Sequence, residues 1–377
     1  MVNVFIIGSR GYMVNYGGFE TFVTNLIDNY NDSNTRFFVT RITNKKEQVK
    51  HICDNIVDIP IYIKQNGSIK MLLYSIKAYK NVINYIKSNN LKNCYIYMLG
   101  LKLGNYMFLK KRTTHKYKIK TLVNPDGLEY KRSKWAYPIK LFFLYSEKSM
   151  LNNTDVIICD SKSIKEYIDL KYPKLKNITR YISYGSKKVD IKGADENHIL
   201  KKYNLMKNNY FLTVGRCVSE NNYEMIISSY LKSNNNKKLV IVSNFDGGKY
   251  SNKLKKMIDK NSNIYLIEGI YNEVELSIIR KNAYSYIHGH SVGGTNPSLL
   301  ESMRYTNLNI LYDVSFNKEV GLKSCIYFKN EEELTRIFNN QKKLDLLKVK
   351  LNNKSKKIIE QKYTWEKVVE SYKQIFK

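Results

Sequence analysis

The stretch Val2-Asn3-Val4-Phe5-Ile6-Ile7-Gly8-Ser9-Arg10-Gly11 decides the fold. A short apolar run that ends in glycine reads as a buried strand. A glycine-rich loop follows from Gly8 to Gly18. Phe19, Phe22, Val23, Leu26 and Ile27 then recur at helical spacing. The unit is therefore strand, loop, helix, with the loop at the carboxyl end of the strand. Further strand patterns lie at residues 36–41, 94–99, 120–123 and 156–159. Helical patterns lie at 69–87, 137–152 and 163–171. Strands alternating with helices predict an α/β fold with a parallel sheet covered on both faces.

The pattern restarts at Tyr210-Phe211-Leu212-Thr213-Val214-Gly215, another strand ending in glycine. Strands at 238–242, 264–267 and 284–288 alternate with helices at 221–231, 253–260, 273–281 and 297–305. Residues 177–197 are polar and irregular and read as a hinge. The last segment, 363–376, is amphipathic through Trp365, Val368, Val369, Tyr372 and Phe376. These patterns predict two Rossmann-like domains facing a central cleft. The first covers 1–185 and is joined by a C-terminal helix, 363–377, that crosses back to it. The second covers 186–362.

Composition bounds the partners. In 377 residues, Lys plus Arg number 63 and Asp plus Glu 33, a net charge of +30. Hydrophobic residues at 43% and aromatics at 13% suffice for ordinary cores and exclude a disordered basic tail. The charge suits nucleic acid, an acidic membrane surface or a phosphorylated ligand, although a lysine-rich compositional bias contributes to it. No apolar run is long enough to span a membrane, and the apolar N-terminus is too short for a signal peptide, so a cytoplasmic location is expected. Five scattered cysteines indicate neither a disulfide framework nor a zinc ribbon; free buried thiols are expected.

Four loops carry the chemistry. The first is Gly8-Ser9-Arg10-Gly11 with Tyr16-Gly17-Gly18-Phe19-Glu20-Thr21. It suits a phosphate or sugar oxygen at a helix start, or is a tight strand–helix turn. Its spacing is not GxGxxG and no acidic ribose partner follows, which argues against a dinucleotide. The second is Asn124-Pro125-Asp126-Gly127-Leu128-Glu129-Tyr130-Lys131-Arg132, where Asp126 or Glu129 binds an acceptor hydroxyl or the segment is a simple turn. In the third, Val214-Gly215-Arg216, an arginine after a strand end is placed to hold a diphosphate, or is merely exposed. The fourth runs from His288 through Gly293-Gly294-Thr295-Asn296-Pro297 to Glu301. Its glycines fit against a phosphate, and Glu301 suits both hydroxyls of a ribose. His290 with Glu301 suits hydrogen bonding better than metal binding, since further ligands are missing.

Together these strings resemble the retaining family-four (group 1) glycosyltransferases of GT-B fold, and especially the bacterial rhamnosyltransferase-like subgroup of capsule and exopolysaccharide synthesis. The strings are 4–11, 16–23, 124–135, 220–224, 288–301, Asp313-Val314 and 316–321, spread over nearly the whole chain in order. The resemblance implies that Arg216, Asp126 and Gly18 are catalytic. It implies that Gly17, Gly215, Arg216, Asn221, His290, Ser291, Gly293, Gly294, Thr295, Asn296 and Glu301 bind the donor. Arg10, Tyr16, Phe19, Glu20 and Glu129 are the acceptor candidates. Gly293 stands where the family has the first acid of its Glu-x7-Glu motif, and Ser291 where the subgroup often has an acid. Asn221 or Asn222 stands where the wider family has lysine. Either activity is weak, or Ser291 and main-chain amides substitute.

The resemblance further implies transfer of L-rhamnose from dTDP- or UDP-rhamnose to a saccharide on a lipid pyrophosphate, with no metal and no cofactor. It implies an enzyme peripheral on the inner face of the cell membrane. The charge then serves an anionic membrane surface rather than nucleic acid, through a basic face within 102–120 and 131–140. Transfer of another hexose, an NAD-dependent oxidoreductase or epimerase, and a basic nucleic-acid-binding protein are the alternatives.

Overall fold

A computed structural model describes residues 1–14, 17–64, 69–104, 106–131, 135–258 and 261–377. The chain divides into two compact units, Met1–Tyr184 with Trp365–Lys377, and Gly185–Thr364.

Unit 1 contains, in chain order, β1 (Val2–Ile7), α1 (Gly18–Asp28), β2 (Thr35–Thr43), β3 (Lys50–Cys53), β4 (Ile56–Tyr62), α2 (Ile69–Ser88), β5 (Cys94–Leu99), α3 (Tyr106–Lys116), β6 (Lys120–Asn124), α4 (Tyr137–Leu151), β7 (Val156–Cys159), α5 (Lys162–Lys171) and β8 (Thr179–Tyr181). The sheet order is β3-β4-β2-β1-β5-β6-β7-β8, parallel except for the antiparallel edge strand β3. Every residue of β1 and of β5 is buried, as a parallel sheet covered on both faces requires.

The sequence pattern missed β4, and the reason is Pro60. A proline lacks the ladder N–H and argues against a central strand. Here β3 pairs only with Ile56 to Asp58, so Pro60 lies beyond its reach and that side of β4 is an edge. Strand β8 lies inside the stretch expected to be an irregular hinge. Helix α3 was also missed, because its outward face carries Phe108 and Leu109 and blurs the amphipathic period.

Unit 2 contains α6 (Glu196–Lys202), β9 (Tyr210–Val214), α7 (Tyr223–Leu231), β10 (Lys238–Val242), α8 (Lys249–Ile258), β11 (Ile264–Ile267), α9 (Glu273–Asn282), β12 (Ser285–His288), α10 (Pro297–Tyr305), β13 (Asn309–Tyr312), α11 (Ser315–Gly321), β14 (Ile326–Phe328), α12 (Glu331–Asn339) and α13 (Gln341–Lys362). Its six strands are all parallel, in the order β11-β10-β9-β12-β13-β14. This is the 3-2-1-4-5-6 Rossmann order, which reverses direction between β9 and β12. Strand β14 has three residues, too short to show a period in sequence.

The last helix, α14 (Trp365–Lys373), belongs to unit 1. It packs on α1, and its rings complete the core on that face of the sheet. Phe22 lies 5.0 Å from Tyr184, 6.3 Å from Trp365 and 5.8 Å from Tyr372, centroid to centroid. The hydroxyls of Tyr97 on β5 and Tyr372 share a buried hydrogen bond of 2.7 Å. The other face is filled by α2, with Phe5 and Phe38 stacked at 4.3 Å. Trp365→Ala removes a buried ring from this layer and is expected to cost about 3–5 kcal/mol. Urea unfolding followed by fluorescence of the remaining Trp135 checks this; a change below about 1 kcal/mol would show that α14 is dispensable to unit 1.

Candidate functional site

In unit 2 the two loops flanking the strand reversal are laced together by their backbones. Val214 leads into Gly215, whose N–H donates to Val242 O at 3.1 Å. Asn221 Nδ2 donates to Arg216 O at 2.7 Å, and Asn222 Nδ2 to Gly289 O at 2.7 Å. Ser291 donates twice to Glu220 O, from its N–H at 2.8 Å and its hydroxyl at 2.9 Å. Asn317 Nδ2 holds His290 O from the α11 side at 3.0 Å. A Cβ on Gly289 would stand 2.3 Å from Asn221 O, so only glycine allows this approach. Gly215 is nearly as confined, with a Cβ position 3.1 Å from His290 Cε1.

These contacts bring Gly215, Arg216, Asn221, His290 and Ser291 to one place at the carboxyl ends of β9 and β12. The loop continues through Gly293, at φ +146° in open space, and through buried Gly294 and Thr295. Asn296 caps α10 by accepting from Ser298 N–H at 2.9 Å, and Pro297 occupies the first helical position. Arg216 is exposed, and its guanidinium makes no hydrogen bond or ion pair among the described residues.

Glu301 lies in the second turn of α10, with 27% of its side chain exposed. It pairs at 2.7 Å with Arg280 Nη2, whose side chain is only 4% exposed. No motif in the sequence marks Arg280. Its one signal is a charged residue directly after Ile278 and Ile279 on the buried side of α9. Arg280 also reaches Ser298 Oγ at 3.4 Å, which in turn bonds Val214 O at 3.1 Å and Tyr286 OH at 2.9 Å. Tyr286 OH meets His288 Nδ1 at 3.3 Å. His288 is fully buried and stacks on His290 with centroids 4.1 Å apart and planes within 6°. Its Nε2 has no partner among the described residues. Burial, and then the neighbouring His290, push the basicity of His288 well below the usual histidine range. Glu220 is also buried, and its Oε1 has no partner among the described residues.

In unit 1 the strand reversal falls between β1 and β5. Gly8, at φ +110°, passes so close that a Cβ would stand 2.3 Å from Leu99 O. Buried Tyr74 pins the following loop by donating to Ser9 O at 2.7 Å. Arg10 N–H donates to Glu20 Oε1 at 2.8 Å, so one oxygen of buried Glu20 holds the backbone of the glycine loop. Gly17 is the extended N-cap of α1, and Gly18 begins the helix with nothing within 4 Å of its Cβ position. Phe19 borders Gly100, 3.6 Å from its Cβ position. Asp126 adopts φ +61°, with its N–H on Asn124 Oδ1 at 2.8 Å. Glu129 begins a short 3-10 turn and accepts from Trp135 Nε1 at 2.9 Å. Tyr16 lies outside the described residues, as do Arg132, Ser133 and Lys134 of the 124–135 string. Gly17 is the one donor candidate that belongs to unit 1.

Among the described residues no group of three His, Cys, Asp or Glu is arranged to hold a metal ion. The five cysteines are free; Cys94, Cys159 and Cys325 are buried, Cys217 is half-buried and Cys53 is exposed. No described helix is long and apolar enough to cross a membrane.

Glu301→Gln leaves Arg280 buried and charged with only neutral acceptors, Ser298 Oγ and an amide oxygen. A loss of about 2–3 kcal/mol in urea unfolding is expected, less than for a fully buried pair because Glu301 touches solvent. Unchanged stability would show that the pair contributes nothing to the fold. His288 is held neutral when folded but takes a proton when unfolded below its ordinary value of 6.5. The unfolded state then binds more protons, so this group's contribution falls as pH drops below about 6.5, by up to about 1.4 kcal/mol per unit. His288→Asn is expected to flatten the pH 7-to-5 stability profile; parallel profiles would refute the assignment.

Residues 1–187 match a family described as a domain of unknown function, DUF1972. No curated protein matches the sequence. Among solved structures, the chain is similar to sucrose-phosphate synthase from Thermosynechococcus elongatus, with TM-score 0.80 and 14% identity, covering 100% of this chain and 98% of that one. HepE of Anabaena in complex with UDP and glucose gives TM-score 0.72 and 12% identity, covering 100% and 99%. A glycosyltransferase from Rickettsia africae gives TM-score 0.72 and 12% identity, covering 100% and 97%. Likeness at these identities speaks for the fold alone: two Rossmann-like units with parallel sheets, the GT-B class.

Proposed function

We propose that the chain is a glycosyltransferase that takes its sugar from a nucleotide diphosphate held on unit 2. One observation carries the reading: the exposed guanidinium of Arg216, without a partner among the described residues, at the strand reversal of a Rossmann sheet, beside the glycine loop that opens α10. A free cation, loop amides and a helix N-terminus together suit a diphosphate. HepE, which shares the fold, is described in complex with UDP-glucose.

As the sugar–phosphate bond breaks, negative charge grows on the departing diphosphate. Arg216 and the Gly293-Gly294 amides stabilise that charge where it develops. The reading takes the mechanism as retaining, with front-face attack by the acceptor hydroxyl and its proton passing to the leaving phosphate. No enzyme nucleophile is then needed. Glu301, braced by Arg280, offers its solvent-facing side to the nucleotide ribose. Gly293 provides no carboxylate, so the sugar hydroxyls meet main-chain amides and Ser291. Acceptor contacts fall to unit 1, to Arg10, Phe19, Asp126 and Glu129 around its own strand reversal.

The finer reading is transfer of L-rhamnose from dTDP- or UDP-rhamnose to a lipid-pyrophosphate-linked saccharide of a capsule or exopolysaccharide, on the cytoplasmic face of the membrane. The loop strings that resemble the rhamnosyltransferase-like subgroup support it.

Arg216→Ala is expected to weaken UDP or dTDP binding about 10- to 100-fold by calorimetry, the worth of a charge-assisted hydrogen bond, and to abolish transfer of labelled sugar to membrane lipid. Its melting temperature is expected to stay unchanged, because the guanidinium has no partner to lose among the described residues. Near-native transfer by this variant would remove Arg216 from the mechanism.

A further inference from the structure

Helices α3 and α4 of unit 1 carry an outward surface unlike that of an ordinary amphipathic helix. On α4, Tyr137, Leu141 and Tyr145 form one stripe at four-residue spacing, exposed by 72, 47 and 58%, with Phe142 beside them at 37%. The opposite stripe, Phe143, Ser146, Glu147 and Met150, is buried in the unit. The helix is thus apolar on both faces, where the outward one is normally polar. On α3, Phe108 and Leu109 are exposed by 62 and 69%. The two helices form one continuous surface. The loop into α3 is held on α4 by Ser146 Oγ donating to Leu101 O at 2.6 Å and by Ser149 Oγ donating to Gly104 O at 3.3 Å. The Cβ position of Gly104 lies 3.6 Å from the Phe142 ring.

The charge around these side chains has one sign. Helix α3 contains no acidic residue and exposes Lys111, Arg112 and Lys116 next to Phe108 and Leu109. Helix α4 contains a single acid, Glu147, which is buried and already paired with Lys171 at 2.8 Å. Lys148 stands exposed after Tyr145 on the outward side. No carboxylate on either helix faces outward to offset these cations.

We propose that this face docks on an anionic lipid bilayer. Headgroup phosphates match the lysines and arginine, the interface accommodates the tyrosines, and the acyl boundary accommodates Phe108, Leu109 and Leu141. A second copy of the chain is a poor occupant, since it brings the same +30 charge and no acidic counterpart on this face. The face borders the loops after β5 and β6, where the proposed function puts the acceptor. It deepens that reading by naming the surface that presents the acceptor, yet its argument uses no donor contact.

The test uses the purified full-length chain and flotation with vesicles of phosphatidylglycerol and phosphatidylcholine, or of phosphatidylcholine alone. Binding to the anionic vesicles at low salt, release by about 0.5 M salt and no binding to phosphatidylcholine are expected. Leu141→Asp with Tyr145→Asp, and separately Lys111→Glu with Arg112→Glu, are each expected to lower the bound fraction at least about tenfold. All four residues are exposed, so melting temperatures are expected to hold. Lys356→Glu with Lys357→Glu, exposed on α13 of unit 2, makes the same charge change elsewhere and is expected to keep binding. The proposal falls if the native chain ignores anionic vesicles, or if the face variants bind normally. It also falls if the α13 control loses binding equally. Sedimentation velocity adds a further refutation: self-association abolished by Leu141→Asp, without vesicle binding, would make the face a dimer interface. Loss of binding to an RNA oligonucleotide in the face variants, again without vesicle binding, would make it a nucleic-acid surface. No sugar nucleotide enters the assay, so its failure leaves the glycosyltransferase reading standing, and the converse holds.

Discussion

Two backbone approaches set the geometry of everything else in this chain. At each strand reversal, a glycine passes a neighbouring carbonyl where a Cβ would stand 2.3 Å from the oxygen: Gly8 against Leu99 in unit 1 and Gly289 against Asn221 in unit 2. A side chain there would clash with main chain, which cannot swing aside as a flexible side chain can. The loops are therefore fixed by exclusion as much as by attraction. The hydrogen bonds from Asn221, Asn222, Ser291 and Asn317 then lock the unit 2 loop in the one path left open.

The charges around that loop fall into two kinds. Arg280 is spent on Glu301 and is sealed under α10, so it stabilises and orients without meeting solvent. Arg216 is exposed and has no partner among the described residues. A buried ion pair is weak support for stability in itself, but losing one partner is costly, and this makes Glu301 both an anchor and a candidate contact. Removing its carboxylate would disturb fold and binding together. Under the proposed function a substitution at Arg216 would touch binding alone, since the fold takes no contact from its guanidinium among the described residues.

Much of this was legible in the sequence. Apolar runs ending in glycine gave the strands at both reversals, and the motif strings gave the loops that follow them. Strand β4 was hidden because Pro60 is tolerated only where β3 stops short. Helix α3 was hidden because its outward apolar residues break the period that pattern reading relies on. Arg280 was hidden for a different reason. A buried charge announces itself only through its partner, and Glu301 is twenty-one positions away on another helix. Likewise, nothing in the local pattern tells that an oxygen of Glu20 holds the Arg10 backbone.

The position of α14 has a consequence for how the chain reaches its native state. Unit 1 is interrupted at Tyr184 and resumes at Trp365, with the whole of unit 2 between. During synthesis, the face of Phe22, Tyr97 and Tyr184 must wait for those last residues, at ordinary rates roughly 10–40 s. The inserted unit carries its own complete sheet and can close first. The N-terminal unit, although made first, is finished last, and over that interval its uncovered aromatic layer is the surface that a chaperone would meet.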